Sequence, residues 1–593
     1  MTSATVLLDY QQRVEQIEAL LTHLQTRQAS TMAVLVLTAV TAAAFCFLAF
    51  ARRTIPVWCP PLPLSAALVS LRKHRSLRLQ ISNFVRLHRF YAAGVDRMED
   101  RWMGSGTSGE EFEIPDHVYA ADLNLFGSGS LFERLCTART HLGCERLASY
   151  LQEPAGWDEI RARQAAVREL AGRSDLWEKL TLLGRYDFEQ SRCRTFAEWM
   201  ESPPAAFAPW LGPAMLTSSL VIGILSVAVL FSPGIWLAVL PAILPIAAVN
   251  AATGFWLQKR VRRVLEAAAA VASEIGLVQE GLELLASERF TAPKLVALTS
   301  RVAPAGKAIR SLQPWLRILQ ERTKEWFYLP SMWLLLGTQS ALAIESWRLR
   351  HREELRRWLD AWSEFEALNS MACYAYENPE DAWPEFHEEG ASFRAEGLGH
   401  PLIGGNACVP NDVSLGDAHR FWVLSGSNMS GKSTLLRSIG LAAVLAFAGA
   451  PVRARSLRLA LMRMGASISV ADSLGEGKSK FLAEVQRLRE MLHLAASGPM
   501  LFLIDEIFGG TNSPDRRAAA DAVVRTLVAR GAVGALSTHD IALAAIASHG
   551  GVNLHMGSRH ASEDPLDFDY KLKPGVSTES NALAIARMAG VPV

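Results

Sequence analysis

The sequence has few cysteines, almost no net charge, and one long segment without any charged residue. Its seven cysteines are scattered, with no Cys-x-x-Cys pair, which argues against a zinc site and against a disulfide framework. The chain has 60 lysines and arginines and 59 aspartates and glutamates, a net charge of +1. The overall charge is therefore not expected to attract nucleic acid. Residues 202–258 contain no charged side chain, which excludes an ordinary solvated surface for this segment.

Two apolar runs fill the uncharged segment, residues 211–231 and 235–257, with Ser232-Pro233-Gly234 between them. Their 21 and 23 residues are each enough to cross about 30 Å of hydrocarbon. Positive flanks at both ends predict a transmembrane hairpin whose two ends face the cytoplasm. The flanking cations are Arg192, Arg194, Lys259, Arg260, Arg262 and Arg263. The alternative is a buried helix pair in a soluble core.

A glycine-rich segment between an apolar strand (421–424) and a helix beginning near Leu435 has the pattern of a phosphate-binding loop. Its backbone N–H groups and the helix N-terminus favour phosphate oxygens. Lys432 should reach the β- and γ-phosphates of a nucleotide, and the Ser433 hydroxyl should bind Mg²⁺. The residues predicted to bind ATP are Gly426, Ser427, Asn428, Met429, Ser430, Gly431, Lys432, Ser433 and Thr434.

Two later apolar runs end in polar residues that complete such a site. The run 499–504 is followed by Asp505, placed to hold Mg²⁺, and by Glu506, the candidate base for the attacking water. The run 535–536 leads to His539, a candidate sensor of the γ-phosphate, although a lone histidine is more often structural. Ligands bind at the carboxyl ends of parallel strands, so these ends should converge on one crevice. We therefore expect Glu506, Lys432 and His539 to be catalytic.

With these motifs in place, the chain resembles the MutS ATPases of DNA mismatch repair. The similarity covers about 120–200 and 345–593, and it is most specific in the ATPase part. The matching segments are Asn428-Met429 of the loop, His400-Pro401-Leu402, 409–413, 465–467, 472–474, 477–484, Asp505-Glu506 with 510–513 and Asp515, 569–572, 574–575 and 589–592, and, upstream, 130–132, 140–143 and 163–167.

The resemblance implies a composite ATPase that acts as a homodimer, with two ATPase domains facing each other. Ser479 matches the family's signature serine, which approaches the nucleotide of the other domain. The alternative for Ser479 is an ordinary helix N-cap, worth roughly 1 kcal/mol. Two segments depart from the family pattern. Residues 507–510 replace the usual Gly-Arg-Gly, and Arg516-Arg517 follows Asp515 where glycine is usual.

A mismatch-reading domain is not expected, because the chain has no room for it and lacks the Gly-Asp-Phe-Tyr-Glu wedge motif. Mismatch recognition is therefore in doubt. Double-stranded DNA remains a possible partner by resemblance. The net charge gives no independent support for it.

The amino-terminal region holds one further apolar run and a weaker one. Residues 31–51 are uncharged, and the 30 residues before them include acids, so the run is interpreted as a membrane span rather than a signal peptide. Residues 55–71 carry four prolines and are a poorer span that returns the chain inward. We expect four spans with the N-terminus inside. Arg52 and Arg53 favour three, with the N-terminus outside. Either count leaves the ATPase in the cytoplasm, where ATP and Mg²⁺ are.

The expected fold is an α/β P-loop NTPase domain of the ABC/MutS type, joined to an all-α core and lever region with transmembrane helices. The expected order is an N-terminal helix and membrane hairpin (1–72), a linker (73–119), helical core (120–210), transmembrane hairpin (211–257), helical lever (258–385) and ATPase (386–593).

This organisation predicts a multi-pass ATPase of the inner (plasma) membrane, in which ATP binding and hydrolysis close and open a dimer on DNA during repair or recombination. The alternative is a membrane ATPase that acts on a protein or lipid-embedded partner without DNA. An ABC-type transporter is a weaker third hypothesis.

Overall fold

The computed structural model describes residues 2–56, 58–184, 199, 201–321, 331, 334–388, 390–405, 407–427, 429–468, 480–509, 512–557 and 567–577. These residues divide into two compact units. The first unit contains Met1–Cys136, Ala148–Leu182 and Asn369–Val593, and the second contains Thr137–Leu147 and Leu183–Leu368. Each unit is described by itself.

The helices, in chain order, are α1 (Ser3–Cys46), α2 (Pro61–Met98), α3 (Leu131–Leu135), α4 (His141–Gln152), α5 (Trp157–Ala171), α6 (Ser174–Leu182), α7 (Leu211–Phe231), α8 (Trp236–Ser287), α9 (Pro293–Val302), α10 (Ala305–Glu321), α11 (Leu336–Glu377), α12 (Lys432–Ala448), α13 (Lys480–Ala496) and α14 (Ser513–Ala529). The strands are β1 (Glu385–His387), β2 (Phe393–Leu398), β3 (Asn411–Leu415), β4 (Phe421–Ser425), β5 (Ser456–Ala460), β6 (Arg463–Ser467), β7 (Met500–Asp505), β8 (Val533–Thr538), β9 (Gly551–His555) and β10 (Lys573–Pro574).

The first unit is built around a six-stranded sheet in the order β10-β9-β4-β8-β7-β6. Its strands pair in parallel except for the β10 edge, which is antiparallel. Strands β4 and β8 are buried along their whole length, as expected for a parallel sheet covered on both faces. The register pairs Ser425 with Thr538 and Asp505 with Ser537, so β4, β7 and β8 end at the same edge.

Helices α13 and α14 cover one face of this sheet. Leu488 and Met491 of α13 and Val524 of α14 are fully or almost fully buried in one cluster with Phe421 and Phe502 of the strands. The second sheet of this unit has four strands in the order β1-β5-β2-β3. The expected α/β domain with a P-loop at a strand end is present in the structure.

Helices α1 and α2 form an antiparallel pair. Tyr10 of α1 packs edge-to-face on Tyr91 of α2, and Glu18 of α1 bonds His88, nearer the start of α2. This part of the pair has its own apolar core. Large apolar side chains of residues 32–69, farther along the pair, are instead exposed.

Among the described residues, three helices are long and apolar enough to cross a membrane: Ser3–Ala51, Leu211–Val229 and Trp236–Ala272. The segment 55–71, expected as a poorer fourth span, is not one of them. Its helix begins only at Pro61, and charge returns at Arg72. Residues 61–71 extend roughly 16 Å as a helix, about half the thickness of the hydrocarbon core. Three helices of the described residues therefore have the length and composition of a span, and the fourth span expected over residues 55–71 stays a prediction.

The second unit contains the hairpin of α7 and α8. Helix α8 has 52 residues and continues without interruption from the uncharged run into the charged region after residue 258. The second predicted span and the first part of the predicted lever, residues 258–287, are therefore one helix of roughly 78 Å. Deeper in this unit, Glu366 of α11 is buried at the start of α4. It accepts hydrogen bonds from the Arg139 backbone N–H at 3.1 Å and from the Thr140 hydroxyl.

Candidate nucleotide site

The loop between β4 and α12 turns through three left-handed residues. Gly426, Met429 and Gly431 have φ values of 145°, 69° and 98°. Gly431 is also closely packed, since a Cβ there would lie 3.1 Å from Tyr570 Cδ1. The turn ends at the first residue of α12, so the N-terminus of that helix faces the loop, as phosphate binding requires.

Lys432 begins α12 and is only 6% exposed. Its Nζ donates hydrogen bonds to the carbonyl oxygens of Gly426 and Ser427, each at 2.9 Å. Burial lowers the pKa of Lys432, while the nearby carboxylates of Glu506 and Asp505 raise it. The ammonium group is therefore held inside the curve of the loop, where it can meet a phosphate.

Asp505 and Glu506 lie at the end of β7, facing the loop. The hydroxyl of Ser537, on neighbouring β8, donates to Asp505 Oδ1. The backbone N–H of Glu506 donates to the Ser537 carbonyl oxygen at 3.1 Å. Glu506 has a φ of 55°, a left-handed conformation that is uncommon for a residue with a side chain. The chain therefore turns immediately after β7, and the carboxylates of Asp505 and Glu506 make different contacts.

His539 contacts Glu506 directly. His539 Nδ1 and Glu506 Oε2 share a hydrogen bond, and the histidine side chain is 58% exposed. The structure therefore brings two of the three predicted catalytic residues into contact. It places His539 beside the candidate base.

A cavity of about 640 Å³ joins these elements. Its lining includes Lys432, Ser433, Asp505 and Glu506 at one part and apolar side chains such as Val409 and Met429 elsewhere. Such a mixed lining suits a ligand with a charged end and a flat apolar end. The loop residues Met429, Ser430, Gly431, Lys432, Ser433 and Thr434 all line it.

The fit of this site to ATP and Mg²⁺ depends on the hydrogen bonding of Ser430 and on the side chains able to bind a metal ion. Ser430 Oγ is buried and lacks a hydrogen-bond partner within the part of the chain that the structure describes, so a phosphate oxygen would supply one. The same part of the chain has no group of three or more His, Cys, Asp or Glu side chains suited to a metal. A cation held by Ser433 and Asp505 would take its other ligands from phosphate and water, as Mg²⁺ does.

The cavity has further members that the motifs did not single out as site residues. Tyr570 lines it, and its backbone oxygen accepts a hydrogen bond from Asn411 Nδ2 at 2.9 Å. His400 also lines it, and burial, with Arg437 and Arg453 nearby, lowers the pKa of His400 to about 4. The imidazole is therefore neutral at physiological pH. Both residues belong to segments quoted for the family resemblance, which was the available signal.

Arg516 is the other missed residue. Its guanidinium lies 3.3 Å from Glu506 Oε2 and is buried. Two predicted residues, Asn428 and Ser479, lie outside the described residues, so their predicted roles stay predictions.

Comparison with known proteins gives matches to the carboxyl-terminal part of the chain. The family model for MutS domain V matches residues 422–593. "DNA mismatch repair protein MutS 2" of Halobacterium salinarum is 32% identical over 265 residues, covering 44% of this chain and 29% of that protein. "Endonuclease MutS2" of Thermus thermophilus is 37% identical over 210 residues, covering 35% of this chain and 27% of that protein.

A plant relative gives a similar match. "DNA mismatch repair protein MSH6" of Arabidopsis thaliana is 33% identical over 284 residues, covering 43% of this chain and 21% of that protein. The matched part of this chain thus spans less than a third of the length of each of these relatives.

Proposed function

Because this chain belongs to the MutS family through its carboxyl-terminal region, we propose that it is a membrane-anchored, Mg²⁺-dependent ATPase. The observation that carries the proposal is the single cavity lined by the phosphate-binding loop, Lys432, Asp505 and Glu506. These are the groups that phosphoryl transfer to water requires in a P-loop site.

Each residue has a role in this proposal. The loop 426–434 and Lys432 bind the ATP phosphates, and Ser433 and Asp505 hold Mg²⁺, which neutralises phosphate charge when bound. Glu506 orients the attacking water and accepts its proton. His539, bonded to Glu506, is proposed to sense the γ-phosphate. Tyr570 and the apolar lining at Val409 leave room for the nucleobase.

The ATPase cycle is proposed to close and open a homodimer. Ser479 would complete the nucleotide site of the other protomer, since a helix N-terminus with a free hydroxyl suits a γ-phosphate. DNA is the proposed ligand of the closed dimer, because relatives carry the names of DNA mismatch repair proteins. The role would lie in repair or recombination.

Membrane anchoring rests on the apolar helices. The hairpin of α7 and α8 exposes large apolar side chains along both helices, as do residues 32–69 of the α1–α2 pair. Exposure of these apolar surfaces to water is unfavourable, whereas in a membrane the lipid chains would cover them. The antiparallel pairing of α1 with α2 would bring the chain back to the side from which it entered. We place the ATPase in the cytoplasm and the anchor in the inner (plasma) membrane.

A second candidate function is an ATPase that acts on a protein or lipid-embedded partner. The observation in its favour is that α8 runs unbroken from the exposed apolar segment into the lever region. Movement of the lever would then reach the lipid-embedded segment directly.

The full chain purified in detergent tests both functions. We expect Mg²⁺-dependent ATP hydrolysis that Glu506→Gln lowers by about 10²–10⁴-fold, and DNA binding that weakens with salt and changes with nucleotide. Hydrolysis without DNA binding at low salt would favour the second function. Absence of hydrolysis would contradict both. Nucleotide-dependent cross-linking between the two α7–α8 hairpins of a dimer would support the second.

A further inference from the structure

Arg516 lies in the first turn of α14 and contacts Glu506. Only 8% of it is exposed. The helix start that carries it is fixed by Asn512, whose side chain accepts a hydrogen bond from the Asp515 backbone N–H at 3.0 Å. Arg516 is therefore presented from a capped helix rather than from a free loop.

The guanidinium contacts the turn at two points. Arg516 Nε donates to the Ile507 carbonyl oxygen at 2.9 Å, and its terminal nitrogen donates to Glu506 Oε2 at 3.3 Å. One planar group thus holds both the backbone of the turn and the carboxylate that the turn carries. A guanidinium can do this because its donors lie in a rigid fork, which an ammonium group lacks.

This turn needs such support. Glu506 and Phe508 both have left-handed backbone conformations, with φ values of 55° and 52°. Residues with side chains keep such conformations where surrounding contacts over-determine them. The carboxylate of Glu506 can position water only if the turn keeps it within hydrogen-bond reach of the substrate site.

We propose that Arg516 is a positioning residue that holds Glu506 in place for hydrolysis. The inference rests on the proposed ATPase function. Arg516 is not among the described residues that line the cavity, so it acts through Glu506 rather than on the nucleotide. His539 shares Glu506 Oε2, but as a largely exposed side chain it gives weaker restraint.

The test is steady-state ATP hydrolysis by the full chain in detergent, with ATP affinity measured separately by a fluorescent ATP analogue. Arg516→Met removes the charge but keeps the length of the side chain. We expect kcat to fall about 10²-fold, the size of effect that small misplacements of catalytic groups produce, while KM stays within about twofold. Arg516→Lys should give an intermediate kcat. The matched control is Arg517→Met, because Arg517 is the exposed neighbour on the same helix.

A double-variant comparison separates positioning from a general structural role. In a Glu506→Gln background, Arg516→Met should lower the residual rate no further, because the group it positions is already disabled. Nucleotide affinity like that of the wild type shows that the variants are folded. If Arg516→Met does not fold, the Arg516→Lys protein and its Glu506→Gln double variant decide the same question.

Four outcomes would overturn the inference. These are an unchanged kcat in Arg516→Met, a higher kcat, a loss of ATP affinity that accounts for the whole effect, and an additional loss in the Glu506→Gln background. If the wild-type chain hydrolyses no ATP, the proposed function itself fails and the inference falls with it. If the wild-type chain hydrolyses ATP and Arg516→Met has the same kcat, the inference about Arg516 is refuted while the proposed ATPase function stands.

Discussion

Leu220 offers a direct test of whether the α7–α8 hairpin lies in lipid. It is the tenth of the 21 residues of α7, roughly 14 Å from Leu211 along the helix axis. Its side chain is 57% exposed although the helix around it is uncharged. In a membrane this position would be near the centre of the hydrocarbon and would face lipid.

The substitution Leu220→Lys gives very different magnitudes in the two environments. At the centre of a membrane helix a lysine costs about 2.5–3.5 kcal/mol, and the lost leucine adds about half a kcal/mol. The sum, about 3–4 kcal/mol, lowers the insertion equilibrium by more than two orders of magnitude. On a water-exposed helix the same change stays within about 0.5 kcal/mol. Adding Ile224→Lys, at another exposed position of α7, should roughly double the cost in lipid.

The assay is the fraction of the α7–α8 hairpin that membranes protect from added protease, because the candidate span in α1 would keep the chain on the membrane even if the hairpin did not insert. We expect protection in the wild type, partial protection in Leu220→Lys, and little protection in the double variant. Val296→Lys is the control, because Val296 is 46% exposed on α9, outside the candidate spans. A wild-type chain that is soluble without detergent would refute the reasoning, as would a double variant that inserts normally.

Three further predictions concern the site and the second unit. Glu506→Gln should lower kcat by about 10²–10⁴-fold and trap a nucleotide-bound dimer in size-exclusion chromatography, and normal turnover would remove Glu506 from its role. Ser479→Ala should reduce ATPase activity without changing nucleotide affinity of the isolated protomer, and an unaltered rate would argue against a shared site. Burial raises the pKa of Glu366 to about 7 from 4.5, so its contribution favours folding most below about pH 4.5 and is lost as pH rises through 7. Thermal unfolding at pH 5 and pH 8 should show a smaller pH dependence for Glu366→Gln than for the wild type.

The site was predictable where its chemistry is local in sequence. The phosphate-binding loop needs a strand, a glycine-rich turn and a helix in immediate succession, so the spacing of residues 421–435 predicts it. The pair Asp505-Glu506 is also local, since an apolar strand leads into two carboxylates. The hairpin was predictable because residues 202–258 carry no charge.

The contacts that complete the site depend on the turn after β7 and on distant segments. Arg516 reaches Glu506 across a turn in which Glu506 and Phe508 adopt left-handed conformations, and nothing in a run of side-chain types encodes that geometry. Tyr570 lines the cavity, and its backbone oxygen accepts a hydrogen bond from Asn411, 159 residues earlier in the chain. The fourth span was expected because residues 55–71 are apolar, a short link joins them to the span before, and the basic residues 72–75 follow them. The start of α2 at Pro61 shortens the helix available to it.

The continuity of α8 bears on which proposed function is correct. A helix of 52 residues transmits axial movement unless it bends, and sharp bends occur mainly at proline. Both of its internal prolines, Pro241 and Pro245, lie in the first half of the apolar run 235–257, so the stretch from residue 246 to Ser287 contains no proline to absorb movement. A displacement of the lever end would therefore carry into the apolar segment. If the hairpin lies in lipid, an ATPase cycle that moves this helix must also move its lipid-facing residues. A hairpin that only anchors the chain would not need to move. Because α8 joins the lever region to the apolar segment, cross-linking between the two hairpins of a dimer can separate the two proposed functions. Cross-linking that depends on nucleotide would favour an ATPase that acts on a membrane partner over one that is only anchored in the membrane and acts on DNA.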